Sequence, residues 1–159
     1  MNIAISKQFG SFAVIALVLA IAFTLWSNNL FAGSSPTDIG INNGKLAACL
    51  TTPNCVSSQA PTSDTQHAIA PLQMSGDVPT TMATLKGVIQ AMPRTNIIRE
   101  TNNYLYVEFT SKLMRFVDDV EFYIDDPKMI QVRSASRLGE SDLGVNRQRI
   151  EEIRAKLAS

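Results

Sequence analysis

An excess of charge of either sign is the first thing missing. Lys and Arg together number 14, Asp and Glu together 14, and the formal net charge is zero. A nucleic-acid partner calls for a basic footprint, so none is expected. Histidine is almost absent, with His67 standing alone, and there are two cysteines, Cys49 and Cys55. These three could not close a tetrahedral zinc site without a borrowed carboxylate, and no metal site is expected. Also missing are a Gly-rich loop between strand and helix and a GxSxG elbow, so no cofactor and no catalytic residue is assigned. A nucleophile–base pair built on Cys55, Ser57 or Ser58 would have to rely on His67, with no motif behind it.

Charge is also missing from the whole run FGSFAVIALVLAIAFTLW, Phe9 to Trp26. At about 1.5 Å per residue it reaches roughly 27 Å, near the 30 Å or so of a hydrocarbon core. Lys7 precedes it and the next basic residue is Lys45, which places the N-terminus in the cytoplasm and the rest outside. The expected location is a bacterial inner membrane, crossed once, with the C-terminal domain periplasmic. The alternative is a signal peptide cleaved near Ala32, although Leu30 suits the −3 position poorly. LAAC (Leu46–Cys49) has the look of a lipobox but lies too far beyond the apolar run.

The expected organisation is a cytoplasmic N-terminus (1–8), a transmembrane anchor or signal peptide (9–26), a flexible tether (27–44) and an extracytoplasmic domain (45–158). Within the domain, 45–75 reads as an extended arm and 76–158 as a helix–sheet–helix core. DVPTTMATLKGVIQAM sets Met82, Leu85, Ile89 and Met92 on one helical stripe, with Asp77 or Thr80 as cap and Pro93 as stop. YLYVEFT alternates, with Leu105, Val107 and Phe109 on one face and Tyr104, Tyr106 and Glu108 on the other. Asn102-Asn103 before it makes a hairpin turn with TNIIRET. In FVDDVEFYIDD, Val120, Phe122 and Ile124 share a face that also takes Asp118; Asp119, Glu121 and Tyr123 take the other. Asp125–Lys128 reads as a turn and MIQVRSAS as the returning strand. Leu143, Ile150, Ile153 and Leu157 stripe a last helix, capped by Ser141 or Asp142 and supported by Arg147–Glu151 and Glu152–Lys156 pairs. The fold class is therefore α+β. A four-stranded antiparallel sheet carries two helices on one face, and its other face is polar and wet.

PNCVSS (53–58), FVDDVEFYID (116–125) and RSASRLGESDLGVNRQRIEEIR (133–154) resemble the domain-of-unknown-function family numbered 1499. That resemblance covers about residues 45–157. It implies an envelope or thylakoid-type location for many members and supplies no catalytic residues.

The five acids of 116–126 do not follow an EF-hand spacing. Glu108, Asp119, Glu121 and Arg133 fall on one face of neighbouring strands, where opposite charges stabilise a sheet by cross-strand pairing. The candidate binding platform on that face is Tyr106, Glu121, Tyr123, Arg133 and Arg137, the arginines being suited to gripping a carboxylate or phosphate. Asp118 and Asp119, with Arg147 and Arg149, are candidate structural ion pairs. Asp118 in particular needs a partner from the last helix, because it sits in an apolar register. Cys49 and Cys55 are a candidate disulfide whose short loop contributes little. GESDLG before the last helix reads as a capping segment rather than an anion site. The expected function is a membrane-tethered periplasmic binding or interaction module. Its partners would be the membrane, through 9–26, and a protein or small anionic ligand. Two alternatives are a hydrolase using Asp118 or Glu121 as base beside Arg133, and an assembly factor for a membrane complex.

Overall fold

The computed structural model describes residues 3–27, 31–126 and 128–159, without the side chains of 3–11, 25–27 and 126. Leu30 of the expected cleavage site and Pro127 of the expected turn lie outside the described residues. The chain divides into two compact units, Met1–Phe31 and Ala32–Ser159.

The first unit contains helix α1 (Ile3–Ser27). Phe12, Val14, Ile15, Leu17, Val18, Leu19, Ile21 and Phe23 are exposed and spread over about two-thirds of the helix circumference, the rest carrying exposed Ala13, Ala16, Ala20 and Thr24. Among the described residues no helix is long and apolar enough to cross a membrane. Residues 12–24 cover roughly 20 Å, short of a core of about 30 Å. Phe9–Ser11 and Leu25–Trp26 of the expected span have side chains outside the description.

The second unit is α+β, with six strands where four were expected. Its elements are β1 (Cys55–Ser57), β2 (Leu72–Gln73), α2 (Val78–Ala91), β3 (Thr95–Glu100), β4 (Tyr104–Thr110), β5 (Val117–Asp126), β6 (Met129–Ser136) and α3 (Val145–Leu157). The antiparallel order β6-β5-β4-β3 is the expected meander. The two further strands come from the arm and both pair with β6, through Cys55↔Ala135 and Leu72↔Ile130. They occupy the main-chain groups that β6 would otherwise present as a bare edge, a need that hydrophobic alternation does not report.

Local signals account for most of the boundaries. Asp77 accepts the N–H of Thr80 at 2.9 Å and starts α2; Met92, ahead of Pro93, ends it. Thr101 N–H donates to the Tyr104 carbonyl at 2.9 Å across the Asn102-Asn103 turn. The core lies between one sheet face and the two helices. It joins Met82, Leu85 and Ile89 of α2 and Ile150 and Ile153 of α3 to the inward side chains of β4, β5 and β6. At the start of α3 the expectation fails. Leu143 is 93% exposed and Asn146 takes the buried place instead. Gly144, left-handed at φ 85, is the N-cap and has no side chain to offer. Asp142 serves from two residues earlier, accepting the N–H groups of Gly144 (3.0 Å) and Asn146 (2.7 Å). Arg147 also departs from its expected pairing, since it donates to the carbonyls of Ala68 and Gln66 and not to a carboxylate.

The largest correction concerns the second face of the sheet. It is covered, not wet, and residues of the expected flexible tether and of the start of the expected arm supply the cover. Ile39 and Leu46 pack against Tyr104, Tyr106 and Tyr123. Gly33, at φ 67, runs so close that a Cβ there would meet Arg137 Cβ at 2.9 Å. Cys49 and Cys55 are bonded, which fastens the end of this strap to β1.

Two stability changes follow. Reduction of the disulfide should cost about 2 kcal/mol, the closure entropy of so short a loop, and leave the unit folded in a urea titration. Asp77→Ala should cost about 1 kcal/mol through loss of the α2 cap, read in the same titration.

Candidate functional site

On the strapped face, β4, β5 and β6 bring the polar residues into register: Tyr106↔Glu121↔Arg133, and Glu108↔Asp119 beside them. Arg137, just past β6, forks onto Asp119 through Nε (2.9 Å) and Nη2 (2.7 Å). It also donates to the Tyr106 hydroxyl at 3.2 Å and pairs with Glu108. Tyr106 in turn donates to Asp119 Oδ1 at 2.6 Å. Asp119, ahead of the cost of burial, holds the Arg137 pKa above its ordinary value, and burial raises the Tyr106 hydroxyl.

Glu121 is fully buried. Its Oε1 accepts the Tyr104 hydroxyl (2.7 Å) and the Gly40 N–H of the strap (2.8 Å). Its Oε2 faces Arg133 Nη1 at 3.5 Å, a long contact, and the buried Arg133 Nε has no hydrogen-bond partner among the described residues. Burial outweighs these partners and lifts the Glu121 carboxyl above its ordinary range. Burial likewise pushes the Tyr104 hydroxyl up.

The five residues expected as a binding platform are therefore brought together but closed off. Tyr106, Glu121 and Arg133 are buried; Tyr123 and Arg137 are half-buried. The physical reason is desolvation: so many paired charges on one face are held by excluding water, and the strap excludes it. Gly40 was the contact that sequence reasoning missed, since a main-chain N–H leaves no trace in residue type. The apolar Ile39 and Ile41 among polar and glycine neighbours, and Leu46 after Lys45, were the available signal that this segment packs.

On the helix face, Asp118 finds Arg149 at 2.5 Å. Arg149 also donates to Ser134 (3.0 Å) and Asn146 (2.6 Å) and lies 4.7 Å from the centre of the Phe109 ring. Asn146 extends the network to Ser136 and the Asn54 carbonyl, both at 3.0 Å. An Asp118 oxygen already engaged by a guanidinium is poorly suited to act as a general base. Ser134 and Ser136 were missed as partners because serines in a strand carry no distinguishing pattern.

Two adjoining concavities open beside this pair. One, of about 320 Å³, lies between the end of α2 and α3, with Arg94, Phe109, Gln148 and Glu152 on its walls. The other, of about 250 Å³, lies between the β4–β5 and β6–α3 loops and is lined by Phe116, Leu138, Leu143 and Val145. Ser111, Asp118 and Val145 border both.

His67 and Cys55 are both engaged by neighbours. His67 Nδ1 contacts Asp64 at 2.7 Å, and its Nε2 lies 3.2 Å from the Thr52 carbonyl. Cys55 is spent in the disulfide. Among the described residues no group of three or more His, Cys, Asp or Glu is placed to hold a metal ion.

One family model, described as a protein of unknown function (DUF1499), matches residues 45–157. No curated protein matches the chain.

Two measurements test this electrostatic reading. A folded-state pKa raised above its unfolded value gives stability present at low pH and lost as pH rises through the folded value. Glu121, from 4.5 upward, and His67, raised from 6.5 by its hydrogen bond to Asp64, both act in that sense. Asp64 and Asp77 act oppositely, below 3.8. Urea midpoints should therefore fall from about pH 5 to about pH 8, and Glu121→Gln should flatten the acid part of that slope. On the other face, Asp118→Asn should cost roughly 3 kcal/mol by stranding Arg149, and Asp118→Leu with Arg149→Met should recover most of it.

Proposed function

The chain belongs to a family of proteins of unknown function, DUF1499, and from that premise we propose that it is a membrane-tethered interaction module of the bacterial envelope. The observation that carries the reading is where the open surface lies. The strand carboxylates Asp118, Asp119 and Glu121 are engaged by arginine or tyrosine, so they hold the fold instead of meeting a substrate. Open surface is found at the end of the unit formed by the β4–β5 and β6–α3 loops. There a concavity is rimmed by exposed Leu138, Leu143 and Val145. Exposed apolar groups gathered round a hollow mark a contact surface.

Tethering rests on the uncharged run Phe9–Trp26 and on the exposure of apolar side chains on every side of α1 between 12 and 24. An extracytoplasmic position for the second unit agrees with the Cys49–Cys55 bond, since disulfides persist in oxidising compartments.

Fractionation provides the test. The full chain should stay with membranes through an alkaline carbonate wash, and protease added to spheroplasts should reach the second unit. A photo-crosslinking residue in place of Leu143 should give adducts that one in place of Asn102, in the β3–β4 turn, does not. Release by carbonate would remove the tether; equal adducts at both positions would remove the loop surface.

A further inference from the structure

The two loops at the open end have a composition that their place in the fold does not require. The β4–β5 loop is closed at its base, where Ser111 N–H donates to the Phe116 carbonyl at 2.8 Å and Phe116 N–H donates to Ser111 Oγ at 2.9 Å. Beyond that closure stand Lys112, Leu113, Met114 and Arg115, all exposed. Leu113 is 75% exposed, and Arg115 holds a left-handed φ of 58 that turns the chain behind the pair. The β6–α3 loop shows Leu138 and Leu143, the latter also left-handed, at φ 55. The cavity of about 250 Å³ lies between these loops and sets them side by side.

A second observation selects the partner. The strap begins at Gly33, against Arg137 and Leu138, so the second unit takes up the chain at the β6–α3 loop itself. Six residues lead from Ser27, the last of α1, to Gly33, and a chain that long reaches at most about 20 Å. On the tethered reading, so short a link keeps a bilayer within reach of the second unit.

We propose that the loops 111–116 and 137–145 seat on the surface of the same membrane. Leu113, Met114, Leu138 and Leu143 enter the boundary between headgroups and acyl chains, and Lys112 meets the phosphates. The proposal rests on the tethered reading above. Apolar side chains next to a cation are the usual means by which a protein segment lies in that boundary without spanning it. Glu140 and Asp142 in the second loop offset the cations of the first. Insertion should therefore depend on the apolar residues, and added salt should weaken it little.

The test uses the full chain in phosphatidylcholine–phosphatidylglycerol vesicles. Cys49 and Cys55 are bonded to each other, so one added cysteine can be labelled selectively. Leu113→Cys, Leu143→Cys and Asn102→Cys are each coupled to a small fluorophore, and lipids brominated high on the acyl chain serve as quenchers. Labels at 113 and 143 should lose about half their fluorescence, as expected for a depth of 5–10 Å, and the label at 102 should keep its own. Adding Leu138→Asp should restore the signal at 143 without moving the thermal midpoint. Co-flotation with no quenching at 113 or 143 would overturn the seating and leave the tether standing. Failure to co-float would overturn both.

Discussion

Everything in the second unit is arranged around the carboxylates of one strand. In β5, Asp118 points to one face, and Asp119 and Glu121 to the other. All three are buried. Removing such groups from water costs several kcal/mol each unless a partner of opposite charge or strong donors meet them. The strand therefore needs an answer on both of its sides. Arg149 brings α3 down on the first side, and Arg137, with Tyr106 and Tyr104, answers on the second. Hydrophobic burial supplies the larger energy through Phe122, Leu105, Ile150 and their neighbours. The charges decide which helix face and which strap can close on the sheet.

The two sides are not equally well satisfied. Asp118, Arg149, Asn146 and Ser134 form a closed set of short hydrogen bonds, and Arg137 is held by two acids and a tyrosine. Glu121 and Arg133 are the weak pair, 3.5 Å apart, and the arginine Nε has no hydrogen-bond partner among the described residues. The strap makes up part of this deficit by lending the N–H of Gly40, and its cover is what deprives the pair of water. One element thus causes the burial and part of its remedy.

Much of this was legible in the residues wherever the signal was local or periodic. The α2 stripe and its Asp77 cap, the Asn102-Asn103 turn, the two faces of β4 and β5, and a helix partner for Asp118 all follow from spacing and side-chain chemistry. The failures share a cause. The pairing of β1 and β2 with β6, the strap over the second face and the Gly40 contact are long-range and use main-chain groups, which any residue carries. The start of α3 failed differently. Leu143 continued an apolar stripe on paper, but Asp142 caps from farther back and Asn146 is needed inside to bind Ser134 and Ser136. Tyr106, Glu121, Tyr123, Arg133 and Arg137 lie together on one face with the strap over them, and alternation tells which residues share a face and not what lies over it.

The pairing of Cys55 with Ala135 joins positions 80 residues apart, and Val56 and Ser57 follow in step. A ribosome delivers the first of these long before the second. Until β6 emerges, the edge that β1 completes does not exist. The cysteines are nonetheless close enough in sequence to join without it. Covalent closure and sheet closure are thus separable in time, with the local loop free to form first and the long-range pairing waiting on the last quarter of the chain. A chain that stops short of β6 would carry the bond without the strand that β1 pairs with.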